Sequence, residues 1–133
     1  MSGTYMLDTD VSSYLIRETP QKLMNKFVSH ANDDICISSI TYAELSFGLL
    51  NNYSERLDKK ISQFISLVEI LDWTSSAAQE YAKIRYHLKK AGTPVGSMDV
   101  LIAASAISIN AELVTNNRKH FSLVPDLKIA DWI

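Results

Sequence analysis

The segment Tyr5-Met6-Leu7-Asp8-Thr9-Asp10 decides the fold class of this chain. Three apolar residues followed at once by an acid are typical of a short buried strand that ends at a loop or helix. Four other apolar runs predict further strands, the last of them at an edge of the sheet: Ile35-Cys36-Ile37, Val68 to Leu71, Leu113-Val114 and Leu127 to Ile129.

Apolar residues at helical spacing lie between these runs. Two stripes recur every three or four residues: Leu57, Ile61, Phe64 and Val68, and Ala77, Tyr81, Ile84, Leu88 and Ala91. Gly92 predicts the end of the second helix, and the segment Val100 to Ile109 is apolar enough to predict a buried one. Strands that alternate with helices favour an α/β fold with a central parallel β-sheet flanked by helices.

Length and composition bound the organisation of the chain. Because 47% of the 133 residues are hydrophobic and the charges are well mixed, we expect residues 1–133 to form one domain. The net charge of −2 argues against nucleic-acid binding through bulk positive charge. The chain shows no secretory signal pattern and no apolar window of membrane-spanning length, and its one cysteine, Cys36, forms no disulfide framework. We therefore predict a cytoplasmic protein without a membrane partner.

Catalytic groups of such folds tend to lie just beyond the carboxyl ends of strands, which selects Asp8 and Glu44, and a third acid, Asp99, is selected by the buried helix that follows it. Asp8 directly follows the first strand, and Glu44 lies in the helix after the second. Asp99 begins the buried helix, which brings it close to the sheet. The segment after Val114 adds Asn116 and Asn117 to the candidates.

Each acid also has a purely local interpretation. Thr41 and Glu44 fit a capping box, and Asp99 fits the acidic first turn that the helix dipole favours. Asp8 fits a helix cap, and Asp10 either assists a metal ion or caps a helix that starts near Val11. The residues alone leave these alternatives open.

The chemistry available to three carboxylates is metal-assisted hydrolysis. Mg²⁺ prefers oxygen ligands and needs only a few carboxylates, and a bound ion activates water without a nucleophilic side chain. The sequence contains no G-x-S-x-G and no H-E-x-x-H motif. His30, His87 and His120 are too dispersed for a zinc site, and we expect the first two at the surface. The tryptophans and tyrosines favour core or interface anchors over base-stacking platforms.

Four segments together resemble a known family. They are Tyr5 to Asp10, Thr41-Tyr42-Ala43-Glu44-Leu45-Ser46-Phe47-Gly48, Gly96 to Ala104 and Leu113-Val114-Thr115-Asn116-Asn117. In this order they resemble the signature segments of PIN-domain ribonucleases, specifically the VapC toxins of bacterial type II toxin–antitoxin pairs. The resemblance spans almost the whole chain, including the closing Asp131-Trp132.

The resemblance implies a PIN-like fold and an endoribonuclease that hydrolyses RNA phosphodiester bonds, with tRNA the leading substrate. It implies that Asp8, Glu44 and Asp99 are catalytic and hold one or two Mg²⁺ or Mn²⁺ ions, with Thr9 supporting the first acid. It also implies a homodimer and a VapB-type antitoxin that covers the active site.

Two departures from the family pattern mark the margin of the site. The family usually carries Asn where this chain has Asp10, and many members place a fourth acid in the segment that matches Thr115 to Phe121. Here that segment offers Asn117 and His120 instead. Asp10, Thr115 and Asn117 are therefore candidate supporting residues.

Two other classes of protein compete with this interpretation. Asp8-Thr9-Asp10 also resembles the opening motif of haloacid-dehalogenase-like phosphatases, although the later Lys and acidic pair of that family are not evident. A non-enzymatic partner-binding α/β domain, in which the acids are only helix caps, is the second alternative.

Overall fold

Five parallel strands form one sheet in the order β3-β2-β1-β4-β5. The structure, a computed structural model, describes residues 3–18, 20–93 and 95–132. The strands are β1 (Thr4–Leu7), β2 (Asp34–Ser38), β3 (Glu69–Leu71), β4 (Glu112–Val114) and β5 (Lys128–Ile129). All five lie at the predicted apolar runs, and β5 occupies an edge as expected.

Helices connect the strands. They are α1 (Thr9–Arg17), α2 (Gln21–Ser29), α3 (Ser39–Asn51), α4 (Glu55–Ile65), α5 (Ser75–Ala91), α6 (Ser97–Ser108) and α7 (Arg118–Phe121). Gly92 ends α5 with a positive φ of 68°, a conformation that glycine adopts without a Cβ clash. Because α4 ends at Ile65, Val68 lies in the turn before β3 and is not part of the predicted helical stripe.

Two apolar clusters cover the two faces of the sheet. Met6 is in register with Cys36 and Leu113, and all three belong to one cluster. Leu7 and Val114, one residue further on, belong to the other. Neighbouring residues of a strand point to opposite faces, so each strand contributes to both halves of the core. This arrangement confirms the predicted parallel sheet covered on both sides.

The helix α6 is the most deeply buried helix of the first cluster. Ala103, Ala104 and Ala106 have no exposed surface, as the apolar composition predicts. The same cluster buries Cys36, and this burial raises the pKa of its thiol to about 12. The cysteine is therefore a structural residue, and it is not poised to react at neutral pH.

His30 is only partly exposed, which departs from its predicted surface position. Its ring stacks on the buried Trp132 at a centroid distance of 4.6 Å, and its Nδ1 lies 2.7 Å from Asp33 Oδ2. The contact arises because the end of the chain returns to pack beside β1, where Trp132 also contacts Tyr5. His87 is exposed, as predicted. No helix within the described residues has the length and apolar character needed to cross a bilayer.

Candidate active site

The candidate site forms where β1 and β4 end side by side at the centre of the sheet. Leu7 pairs with Val114 at the end of the two strands, and the Asp8 amide donates to the Val114 carbonyl at 3.1 Å. Asp8 and Thr115 are therefore the first residues beyond neighbouring strands. This placement agrees with the rule that active sites of parallel sheets lie at the carboxyl edge.

Asp8 combines two roles that the sequence left as alternatives. Its Oδ1 accepts a hydrogen bond from the Val11 amide at 2.8 Å, so Asp8 is the N-cap of α1. The residue is only 3% exposed, which is unusual for a helix cap and places the carboxylate at the floor of the site. A second bond, from the Ser12 hydroxyl to the Asp8 carbonyl, fixes its backbone.

The environment of Asp8 opposes its charge. Burial, with smaller contributions from the charges of Asp10 and Asp99, raises the pKa of Asp8 to about 6. The Thr115 hydroxyl and the Val11 amide act in the opposite direction, because they hydrogen-bond to the charged form. An ionised Asp8 is thus a buried negative charge, and within the described residues no basic side chain is among the groups that shift its pKa.

Glu44 points back toward the start of α1. Its Oε1 accepts a hydrogen bond from Thr9 Oγ1 at 2.6 Å, and the Thr41 hydroxyl oxygen lies 3.2 Å from that of Thr9. The capping-box interpretation is wrong, because α3 begins at Ser39 and Ser38 is its N-cap. Thr41 is a fully buried residue inside the helix, and Glu44 is free to face the site.

The role expected for Thr9 also differs from the structure. The resemblance implies that Thr9 supports the first acid, whereas its hydroxyl donates to Glu44. The reason is that the Asp8 carboxylate turns toward the amide of Val11 in its own helix. Thr9 therefore links the carboxyl end of β1 to α3.

Asp99 lies in the first turn of α6 and is half-buried. Burial raises its pKa, and the charges of Asp10 and Glu44 raise it further, while His120 lowers it. These mutual effects show that Asp8, Asp10, Glu44 and Asp99 share one electrostatic environment, although they come from three separate segments. Like charges held together in this way favour the binding of a cation.

The loop after β4 brings His120 to Asp99. His120 Nδ1 lies 3.5 Å from Asp99 Oδ2 and 3.1 Å from Asn117 Nδ2. The backbone N–H of Asn117 donates to Thr115 Oγ1 at 2.9 Å. The hydroxyl hydrogen of Thr115 is therefore available to the Asp8 carboxylate. His120 was not among the predicted supporting residues, because a lone histidine has no metal-ligand spacing, although it lies in the segment where many family members place a fourth acid.

Asp10 is exposed and lies in the first turn of α1. The interpretation of Asp10 as a helix cap is wrong, since Asp8 holds that position. What remains is its charge, which acts on both Asp8 and Asp99. Asp10 therefore adds negative potential at the rim of the site.

The donor set suits a hard divalent cation held partly through water. Within the described ranges, no three side chains of His, Cys, Asp or Glu are arranged to hold one metal ion as a closed set. Mg²⁺ commonly uses one or two carboxylates together with waters and substrate phosphates, so a closed protein cage is not required. The buried carboxylate of Asp8, with its strongly raised pKa, is the observation that fits a cation best.

If Glu44 holds the metal ion that the family resemblance implies, Thr9→Val should reduce RNA cleavage without unfolding the protein. Valine keeps the shape of threonine but removes the hydroxyl that holds Glu44, and such outer partners of a metal site are worth roughly 10- to 100-fold in activity. Steady-state cleavage rates measure the effect, and Thr9→Ser is the matched control that retains the donor. Equal rates for Thr9→Val and wild type would show that this bond does not position Glu44.

The PIN domain family model matches residues 5–127 of the chain. A curated relative, ribonuclease VapC2 of Rickettsia felis, is 38% identical over 130 residues, which cover 96% of this chain and 97% of that protein. The tRNA(fMet)-specific endonuclease VapC of Salmonella typhimurium is 37% identical over 129 residues, with 96% and 97% covered.

Solved structures of the same kind share the fold. VapBC2 from Rickettsia felis, bound to a DNA fragment from its promoter, contains a chain that matches with a TM-score of 0.93 at 37% identity, covering 98% of this chain and 99% of that one. DNA-bound VapBC from Salmonella typhimurium matches with a TM-score of 0.88 at 35% identity and full coverage of both chains.

The chain therefore belongs to the PIN-domain family and, within it, to the VapC ribonucleases. It is a hydrolase of the nuclease class, and ribonucleases with this domain are generally dependent on a divalent metal ion. Neither the phosphatase nor the non-enzymatic binding domain is favoured, because the match extends over nearly the whole chain.

Proposed function

We propose that this VapC ribonuclease cleaves tRNA and that Asp8, Glu44 and Asp99 are its catalytic carboxylates, loaded with Mg²⁺ or Mn²⁺. The observation that carries the proposal is the shared electrostatic environment of these acids at the carboxyl edge of the sheet. The name of the Salmonella relative, a tRNA(fMet)-specific endonuclease, supports tRNA as the substrate class. We place the whole activity in one domain of residues 1–133 and in the cytoplasm, where tRNA is found.

The role that we propose for each residue follows from its contacts. The divalent ion, when bound, activates water and neutralises charge that develops on the phosphodiester. Asp8 would hold it from the floor of the site, kept in place by the Val11 amide and the Thr115 hydroxyl. Glu44 would approach from α3, oriented by Thr9, and Asp99 would approach from α6.

His120 and Asn117 complete the rim on the β4 side. His120 lies against Asp99, and Asn117 joins His120 to Thr115. Together they orient two of the proposed ligands without adding a fourth carboxylate. We propose that His120 positions Asp99 and that Asn117 positions Asp8 through Thr115. Asp10 contributes only negative electrostatic potential.

A VapB-type antitoxin is the protein partner that we propose. The Rickettsia and Salmonella structures are of VapBC, and the acidic site itself would accept a basic side chain of such a partner. An apolar groove between α1, α2 and α4 offers a docking surface for an amphipathic segment. It is lined by Leu15, Ile16, Met24, Phe27, Phe64 and Leu67, among others.

A homodimer is the assembly that we propose. Phe47 and Leu50, three residues apart on one face of α3, are 67% and 79% exposed. Large apolar side chains that project together into water are typical of a surface that a partner covers. Light scattering on the purified chain measures the mass directly.

The proposed activity is tested by incubating purified protein with initiator tRNA(fMet) and, as the matched control, elongator tRNA(Met). We expect cleavage of the initiator tRNA only, dependent on Mg²⁺ or Mn²⁺ and abolished by a chelator. Cleavage that persists in the chelator would contradict the metal mechanism. Intact tRNA together with cleavage of another RNA would contradict the substrate class alone.

A further inference from the structure

A pocket of about 210 Å³ opens between α1, the start of α2 and the loop that follows β4. It is lined by Tyr14, Pro20, Lys22, Leu23, Asn116 and Trp132. None of the catalytic, metal-binding or partner-binding roles proposed above uses these residues. A cavity of roughly 150 Å³ accommodates a benzene ring, so this one has room for a single nucleobase.

Two walls of the pocket extend directly from the candidate active site. Asp8 caps α1, and Tyr14 lies six residues further along that helix, about 9 Å along its axis at the usual rise per residue. Asn116 directly follows Thr115, whose hydroxyl acts on Asp8. The pocket therefore shares α1 and the loop after β4 with the candidate active site.

The polar groups of the pocket match those that recognise unpaired RNA bases. Tyr14 is 45% exposed, so its ring is available for stacking, which departs from the expectation that the tyrosines are anchors. Asn116 is exposed and offers an amide that can pair with a base edge, while the exposed Lys22 offers a cation to a phosphate.

Trp132 adds a second, independent indication. The residue is 2% exposed, and its indole Nε1 is a buried donor with no hydrogen-bond partner in the part of the chain that the structure describes. Buried donors are rarely left unpaired. An occupant of the pocket with an acceptor atom within reach of this nitrogen, such as a nucleobase, would supply the missing partner.

From these observations we infer that the pocket binds one nucleobase of the RNA substrate, next to the scissile phosphodiester bond. The inference rests on the proposed ribonuclease function and adds to it a site of sequence selection. We assign RNA as the occupant because Lys22 and Asn116 lie beside the exposed ring of Tyr14, and the apolar remainder of the lining suits the face of a base. The net charge of −2 means that RNA must be held by such local contacts.

The test compares wild type with Tyr14→Ala on RNA substrates that carry one abasic nucleotide at successive positions around the mapped cleavage site. For intact RNA we expect Tyr14→Ala to raise KM about tenfold and to leave kcat within about twofold, because base stacking contributes to binding. One abasic position should raise KM similarly in wild type and have little further effect in Tyr14→Ala. That loss of additivity identifies the base in the pocket.

Tyr86→Ala is the matched control, since Tyr86 is an exposed tyrosine on α5, outside the pocket. It should keep the wild-type KM. The inference is overturned if Tyr14→Ala cleaves with the wild-type KM, or if each abasic position affects both proteins equally. A Tyr14→Ala variant that loses only antitoxin affinity would show that the pocket serves the protein partner instead.

Failure of the proposed function would look different. If wild type leaves all RNAs intact, the ribonuclease proposal fails, and binding of the same RNAs measured by fluorescence anisotropy still tests the pocket. A base site is supported if Tyr14→Ala binds intact RNA about tenfold more weakly than wild type does and the two proteins bind the abasic RNA equally. Equal affinities of wild type and Tyr14→Ala would contradict one.

Discussion

Asp8→Asn is expected to abolish RNA cleavage while making the metal-free protein more stable at pH 8. The loss of activity should exceed about 100-fold, the upper range for groups one step removed from a metal. The gain in stability of the variant arises because Asp8 is almost fully buried and its pKa is raised from 3.8 to about 6. Keeping it ionised costs on the order of 3 kcal/mol relative to the unfolded chain.

The sign of the pH dependence follows from the same shift. The folded state binds the Asp8 proton more tightly than the unfolded state, so the free energy of unfolding falls as pH rises from about 4 to about 6. Above that window the Asp8 contribution is constant. Asp8→Asn has no carboxyl group to ionise at this position, so its free energy of unfolding does not fall in this way. Its Tm at pH 8 should exceed that of wild type by roughly 5–10 °C.

Asp8→Ala is the matched control for the helix cap. Asparagine caps a helix about as well as aspartate, whereas alanine leaves the Val11 amide without its acceptor at a cost of about 1 kcal/mol. Thermal melts at pH 4 and pH 8 separate the effect of the helix cap on stability from the effect of the Asp8 charge. An Asp8→Asn protein less stable than wild type at pH 8 would contradict the assignment of an uncompensated buried charge.

Asp99→Asn is expected to remove most of the stabilisation that a divalent metal gives the protein. A metal ion at a hundredfold excess over its Kd adds about 2.7 kcal/mol to the free energy of unfolding. For a chain of this size that gain corresponds to a Tm increase of roughly 8 °C. The increase should occur in wild type with Mn²⁺ or Mg²⁺ and be largely absent in Asp99→Asn, which should also fail to cleave RNA.

Asp58→Asn provides the control for Asp99. Asp58 is also an acid in the first turn of a helix, α4, so its substitution removes the same favourable interaction with the helix dipole. It should keep both the metal-dependent Tm increase and the cleavage rate of wild type. Equal metal-dependent increases in Tm for wild type, Asp99→Asn and Asp58→Asn would show that the ion binds elsewhere.

Strand positions and the parallel sheet could be predicted from the sequence because the signal is local. Runs such as Tyr5 to Leu7 are short and apolar, and both faces of the sheet are buried, so composition alone indicates the strands. The buried helix α6 was equally evident from its composition. The packing of His30 against Trp132 was not evident, because it joins residues about 100 positions apart.

The acids of the candidate site could be selected from the sequence, but their hydrogen-bond partners could not. Asp8 could be selected from its position after a strand, whereas Glu44 depended on family resemblance, because Thr41-Glu44 spacing also fits a capping box. The structure assigns the cap of α3 to Ser38 and bonds Glu44 to Thr9, a contact between two helices. Side-chain partners of this kind, like the approach of His120 to Asp99, depend on tertiary geometry that periodicity does not encode.

The central claim is that carboxylates gathered at the end of β1 hold a divalent ion for RNA hydrolysis. Its most direct test is the rate of RNA cleavage as a function of Mn²⁺ concentration for wild type, Asp8→Asn, Glu44→Gln and Asp99→Asn. We predict metal-dependent cleavage by wild type and a loss of more than about 100-fold in each variant. Cleavage without a metal, or a variant of these three acids that cleaves at the wild-type rate, would contradict the claim.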